Sequence, residues 1–435
     1  MPLLAESKLY VCPGETHPIS RAVHLGRLAA FYPACRDCPY RAEVGQIPAQ
    51  IVELTDNGAK PIERKSLFTD EGVRGVHRNE LTRARSGAIA TALAGMLWDD
   101  SLSCEGTEGD RSTRAQRPSI VVGYDERPSS PDIVTGVTAA LRRMGCQVLD
   151  IALTTKPCLW FTVDHLQASA GVIVTGAGYE PSWTGLDFVG RGAIPFSRGG
   201  ELDRLEARQQ ASVGRQTRHA GPHRSFQAFI PYEASLWKHF HALRPLKIAF
   251  GCSSRLVRRS VERTFANLPC RLIPVAVPER SRDLNDPRDP DIVRMAEGVR
   301  SAGTDLGVLI GDDGQTSAFF DEHGRFLPAV QISRLVLRVV LAAQPGGTIA
   351  VESAALPELG PIVESAGGLC VEGGSRREEM SRTIAEKRAA LGCGSSGRLW
   401  FGETFPACDA ILTMARVLEA LSQSDAPFSD VLLKI

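Results

Sequence analysis

The chain has 435 residues, enough for about three domains at ~150 residues each. Fifty basic side chains balance fifty acidic ones, so overall charge drives the protein neither onto nucleic acid nor onto membrane surfaces. Hydrophobic residues make up 43% and charged residues 23%, which excludes a largely disordered chain, and no apolar run reaches the ~18 residues of a bilayer span.

Met1–Tyr10 carries Glu6 and Lys8 and lacks an apolar core, so it does not read as a secretory signal, and a cytoplasmic location is expected. Eleven scattered cysteines do not form the framework of a secreted disulfide protein. Residues 1–60 form a region of their own. A helical pattern of Ile19, Val23, Leu25, Leu28, Ala29 and Phe31 ends at Pro33. Around it, Cys12 and His17, then Cys35 and Cys38, offer three thiolates and one imidazole, the ligand set of a structural Zn²⁺ site. The alternative is reduced cysteines with no metal, and an iron–sulfur cluster lacks a fourth thiolate. His24 is a weaker ligand candidate.

Strands then alternate with amphipathic helices in three blocks. The first predicts helix Arg83–Trp98, strand Ile120–Gly123, helix Ile133–Met144, strand Val148–Ile151, helix Pro157–Gln167 and strand Gly171–Thr175. Ser103–Arg117 and Arg198–Arg224 read as linkers or surface insertions. The second of these, with His219 and His223, is the stretch most like a nucleic-acid contact. Zero net charge and 6% aromatic content argue against that role. The second block predicts strand Lys247–Gly251, helix Leu256–Asn267, strand Arg271–Val275, helix Ile292–Ala302 and strand Leu306–Ile310. The third predicts helix Val330–Ala343, strand Thr348–Val351, helix Pro357–Ser365, strand Leu369–Glu372 and helices Arg377–Ala389 and Asp409–Leu421. Short apolar runs between helices mark buried parallel strands.

Five segments, in order, resemble the α-D-phosphohexomutases, the phosphoglucomutase and phosphomannomutase superfamily. Phe68-Thr69-Asp70-Glu71-Gly72-Val73-Arg74-Gly75 is similar to the opening Gly-Thr-x-Gly-Ile-Arg-Gly. Val122-Gly123-Tyr124-Asp125-Glu126-Arg127-Pro128-Ser129-Ser130 is similar to Val-Gly-x-Asp-x-Arg-x-Ser-Ser. Thr175-Gly176-Ala177-Gly178-Tyr179-Glu180, followed by Gly185-Leu186-Asp187, aligns without a gap on the phosphoserine loop Thr-Ala-Ser-His-Asn-Pro and its Tyr-Asn-Gly-Ile-Lys sequel. Gly311-Asp312-Asp313-Gly314-Gln315-Thr316 stands where the family carries Asp-Gly-Asp-Ala-Asp-Arg for Mg²⁺. Gly402-Glu403 stands where Gly-Glu-x-Ser-Gly-His grips sugar hydroxyls.

The resemblance implies three consecutive α/β/α domains with mixed sheets, at 66–222, 226–325 and 326–435, behind the Cys/His region. The family's fourth, phosphate-clamping domain is expected to be absent. It also implies that Arg74, Arg127 and Glu403 bind a hexose phosphate, and that Asp313 is the remnant of the Mg²⁺ loop.

The departures weigh against phosphoryl transfer. Ala177 occupies the phosphoserine position and has no nucleophilic atom. Asp187 replaces the lysine beside it, and a carboxylate there repels phosphate. The expectation is a binding or regulatory protein, with a hexose phosphate or a protein as partner. The alternative is an active intramolecular phosphotransferase on hexose phosphates with an altered site.

Overall fold

The computed structural model describes residues 8–13, 15–30, 32–35, 38–49, 51–53, 66–103, 117–211, 217, 219–402 and 407–433. Among these, the strands form three mixed sheets in succession along the chain. The first contains β1 (Val73–Val76), β2 (Ser119–Tyr124), β3 (Gln147–Leu153), β4 (Ala170–Val174), β5 (Trp183–Gly190) and β6 (His223–Ser225), in the order β1-β5-β4-β2-β3-β6. The second contains β7 (Lys247–Gly251), β8 (Arg271–Val275), β9 (Leu306–Ile310), β10 (Ser317–Phe320) and β11 (Phe326–Leu327), in the order β11-β10-β9-β7-β8. The third contains β12 (Thr348–Glu352), β13 (Leu369–Gly374), β14 (Leu391–Cys393) and β15 (Trp400–Phe401), in the order β13-β12-β14-β15.

The three sheets share one design. Parallel strands (β3-β2-β4, β8-β7-β9 and β13-β12-β14) are flanked on one side by antiparallel strands. Every residue of β4 and of β9 is buried, because helices cover both faces of a parallel sheet, and this explains their unbroken apolar runs. The helices between strands bury a stripe of helical period. In Ser130–Arg143 the stripe is Ile133, Val137, Ala140 and Leu141. Pro290–Ala302 starts at Asp289, whose carboxylate accepts from Asp291 N at 2.9 Å, and stops at Gly303, which takes the left-handed φ of 55°.

One apolar cluster joins all three units, with Val121 and Ile173 from the first sheet, Ile248 and Val308 from the second, and Ile349 and Val351 from the third. Helix Lys156–His165 lies within it and is buried at Cys158, Leu159, Trp160 and Val163. A helix enclosed this way has little freedom, so the residue at its start, Lys156, is rigidly placed.

Two expectations need correction. The stretch Arg198–Arg224, read as an insertion, contains helix Glu201–Gln210. Leu202 and Leu205, three residues apart, are buried and anchor it, whereas the charged residues around them mask its periodicity. β6 lies past residue 222 and joins the first sheet beside β3, so that unit runs beyond its expected limit. The other predicted linker falls at 104–116 and lies outside the described residues. At the front, helix Arg21–Ala29 is capped by Ser20 and packs under an antiparallel bridge between Tyr10 and Ile19. Arg78 Nη1 donates to Ala30 O at 2.8 Å and ties this region to the first unit.

Candidate functional site

A cleft of about 630 Å³ lies where the three units meet. Its wall is built mostly from loops that follow the carboxyl ends of parallel strands, the usual ligand position of open α/β sheets. Lys156 follows β3 and Ala177–Tyr179 follow β4. Arg280 and Arg282 follow β8, and Asp312 and Asp313 follow β9. Arg376 and Arg377 follow β13, and Arg398 follows β14. Thr69, Asp70, Glu71 and Arg74, on the segment leading into and along β1, close the ring.

The charges in this wall are organised around three acidic centres. Asp187 on β5 is fully buried, with Arg74 Nη1 at 2.5 Å from Oδ1 and Lys156 Nζ at 2.6 Å from Oδ2. Burial pushes its carboxyl up, but the two cations overrule that and hold it well below the usual carboxylate range. Glu71 receives Arg377 Nε at 3.0 Å and Arg398 Nη1 and Nη2 at 2.8 and 3.1 Å. Against the effect of burial, these arginines and Lys156 pull its pKa down to about 2. Asp312 receives Arg282 Nη1 at 2.7 Å and a short hydrogen bond from Ser253. Burial wins there, and its carboxyl lies above its ordinary value despite Arg282.

Ala177 forms part of the cleft wall and presents a methyl group. Its amide donates to Thr175 Oγ1 at 3.0 Å, so that nearby hydroxyl is engaged inside the loop. Tyr179 lies beside it, stacked on Trp183 with ring centroids 5.2 Å apart, and the Arg74 guanidinium sits 5.3 Å above its ring.

Arg127 is buried, but its terminal nitrogens hold the loop itself. Nη1 donates to Glu180 O (2.7 Å) and Trp183 O (3.0 Å), and Nη2 to Tyr179 O (2.8 Å). The sequence placed this arginine in the cleft as a substrate ligand. The structure instead makes it the brace of the Ala177 loop, because its donor fork ties together three backbone carbonyls that the turn brings to one side. Gly176 is required for that brace: a Cβ there would stand 2.5 Å from Arg127 Nη1 and from Trp183 O. Neither Ser129 nor Ser130 caps the following helix through its side chain. Ser129 occupies the cap position without a side-chain bond, and Ser130 Oγ donates to Asp125 Oδ1 at 2.5 Å.

The loop at 311–316 does not fit Mg²⁺. Asp313, the expected remnant ligand, has its Oδ1 saturated by Gln315 N (2.9 Å), Thr316 N (3.2 Å) and Thr316 Oγ1 (3.0 Å). Gln315 Oε1 accepts from Arg377 Nη1 at 3.0 Å. Asp312 Oδ2 is buried and makes no hydrogen bond, but it belongs to a carboxylate already paired with the Arg282 guanidinium, and a loop so neutralised does not match the octahedral oxygen shell of this ion.

Glu403 lies outside the described residues. Downstream, Asp409 caps helix Ala410–Ser422 through Ile411 N (2.8 Å) and Leu412 N (3.2 Å), and takes the Tyr232 hydroxyl at 2.7 Å.

The front region does not assemble the expected Zn²⁺ set. Cys12, Cys35 and Cys38 are buried, but His17 is exposed, with its Nδ1 3.0 Å from Thr16 Oγ1. The Cys12 sulfur accepts from Arg27 Nη1 at 3.1 Å. Among the described residues no three His, Cys, Asp or Glu side chains gather closely enough to hold a metal ion. His24 is buried and stacks on Tyr10 at 4.2 Å, a packing role.

Sequence reasoning missed Lys156, Glu71, Arg282, Arg377 and Arg398. Four of these five follow a parallel strand by three to seven residues, and position relative to strand ends was the signal available.

The fold and the cleft define a class: a multi-unit α/β protein with an arginine- and lysine-rich site at the junction of its units. A family model for phosphoglucomutase/phosphomannomutase, alpha/beta/alpha domain I, matches residues 65–212. Phosphohexose mutases of Xanthomonas campestris pv. campestris are 26% identical over 371 residues, covering 84% of this chain and 79% of theirs. A phosphomannomutase/phosphoglucomutase of Pseudomonas aeruginosa is 24% identical, covering 82% of this chain and 74% of its own. In fold, a phosphoglucomutase/phosphomannomutase family protein from Burkholderia thailandensis superposes with a TM-score of 0.72, at 20% identity over 85% of this chain and 80% of that one. Residues 65–212 thus match domain I of the phosphoglucomutase/phosphomannomutase family, and the relatives that the rest of the chain resembles are phosphohexomutases.

Proposed function

We propose that this protein binds a hexose phosphate in its central cleft and does not pass a phosphoryl group through residue 177. The observation that carries this reading is the Ala177 methyl in the wall of a cleft that keeps Lys156, Arg74, Arg280, Arg282, Arg377 and Arg398 around it. Charge complementarity to a phosphorylated sugar is retained, and the atom that starts the chemistry is missing. The relatives named above are mutases acting on phosphorylated hexoses or their kin, which supports the ligand class. A binding or regulatory role follows from binding without turnover, and a protein partner fits that role.

The test joins two measurements. The protein is incubated with glucose 1-phosphate, glucose 1,6-bisphosphate and Mg²⁺, and glucose 6-phosphate is assayed. The expected result is no product above a protein-free blank and no phosphate adduct in the intact mass. In parallel, glucose 1,6-bisphosphate is expected to raise the melting temperature in a dose-dependent way. Product formation, or a phosphate on Tyr179 or Thr175, would establish an altered-site phosphotransferase instead. Ala177→Ser is expected to remain inactive, since the 311–316 loop does not offer the oxygen shell of Mg²⁺.

A further inference from the structure

Within the reading above, we infer that phosphate recognition in this cleft is independent of a metal ion, and that the Arg282 guanidinium does the electrostatic work a divalent cation does in the family.

A loop carrying adjacent carboxylates needs a cation to offset their repulsion when they are taken out of water. Here that cation belongs to the chain. Arg282, whose side chain is 4% exposed, places Nη1 2.7 Å from Asp312 Oδ1 and 3.1 Å from Ser253 Oγ. Its Nε lies 3.3 Å from Asp291 Oδ2, and Arg280 Nη2 reaches the same oxygen at 2.9 Å. Asp291 is fully buried at the start of helix Pro290–Ala302, so it anchors both arginines from a rigid element.

The neighbouring carboxylate is settled separately. Asp313 spends its Oδ1 on three donors of its own turn. Lys156 and Arg398 add positive potential, which with those bonds keeps Asp313 ionised despite burial. Arg282, Lys156 and Arg398 thus all face the loop. An incoming divalent ion would meet three fixed cations and few carboxylate oxygens free of a hydrogen bond, Asp312 Oδ2 among them, on a residue already paired with Arg282. A phosphoryl group meets the opposite situation. Arg282, Arg280 and Lys156 line the same cleft as Ala177, at the loops where a phosphate ester would lie. An internal guanidinium supplies fixed positive charge there, always ionised and needing no bound ion.

The experiment is calorimetric titration of glucose 1,6-bisphosphate into the full chain, in EDTA and again in excess Mg²⁺, with Mg²⁺ alone as a third titration. Binding in EDTA with an affinity within about twofold of that in Mg²⁺, and no saturable heat from Mg²⁺ alone, is the expected outcome. Arg282→Gln should weaken binding in EDTA by about 10- to 100-fold, the size of a lost charge-assisted contact. Asp312→Asn, nearly isosteric and removing the metal-type ligand, should bind at least as well as the parent; it also guards against a folding defect in Arg282→Gln. Binding that requires Mg²⁺, loss of binding in Asp312→Asn, or unchanged binding in a folded Arg282→Gln would each overturn the inference while leaving the cleft reading intact. Absence of binding in both EDTA and Mg²⁺ would instead overturn the cleft reading itself, and the inference with it.

Discussion

Position 187 shows how much a single residue's meaning depends on its neighbours. In sequence, a carboxylate in place of the family's lysine reads as a source of repulsion toward phosphate. In the fold, Asp187 is sealed behind the cleft wall, and Lys156 and Arg74 neutralise it. The ammonium lost at one position is therefore present 2.6 Å away, on a different element. Removing the acid would leave two buried cations facing each other. Asp187→Asn is expected to cost about 3–5 kcal/mol, the typical cost of breaking a buried ion pair. Urea unfolding would measure it, and an unchanged midpoint would refute the assigned role. Ala177 was legible as it stands, because the loss of a hydroxyl needs no partner to be recognised. Arg127 was not: an arginine beside a strand end can face a ligand or brace a loop, and only the carbonyls of Tyr179, Glu180 and Trp183 decide which.

Elements with strong periodicity were read almost residue for residue. β7, β8 and β9 match their predicted spans, and the helices between them agree to within two residues. The antiparallel-paired strands β1, β5, β10, β11 and β15, and the parallel strands β6 and β14, were not predicted. Several are short, and their pairing with distant partners, such as β1 with β5, leaves no local pattern. Helix Glu201–Gln210 was hidden for a related reason. Its start is stabilised from across the chain by Glu378, whose carboxylate accepts from Ser197 N at 2.9 Å and Glu201 N at 3.2 Å. A buried acid at a helix N-terminus satisfies orphan amides and meets the positive end of the dipole. Glu378→Ala should therefore cost about 1–3 kcal/mol. Hydrogen exchange should show amides 201–204 losing protection while helix Ser130–Arg143 keeps its own; uniform protection would contradict the capping role.

At the scale of the molecule, Glu71 links the first unit to the third through Arg377 and Arg398, and Gln315 brings the second unit to the same arginine. This junction gives a pH dependence with a defined sign. Glu71 has a folded pKa near 2 and Asp187 is also lowered, both below their unfolded values of ~4. Each binds its proton more weakly when folded, so the stabilisation is fully present above ~pH 4–5 and is lost as pH falls through the folded values. Melting temperature should therefore fall progressively between about pH 4 and pH 2. Glu71→Gln should flatten that drop while lowering stability at neutral pH. An identical acid profile in the variant would remove Glu71 from the account.

The order of the periodic helices and of most parallel strands, the family resemblance and the alanine at position 177 were all legible in the sequence, because each is written in local periodicity or in a gapless motif. Which charges form the cleft was decided only by the tertiary structure. Glu71 and Arg377 are some three hundred positions apart, Lys156 meets Asp187 from another element, and Arg282 reaches Asp312 across a sheet. Electrostatic pairing depends on distance in space and on exclusion of water, and neither quantity exists along a chain before it folds.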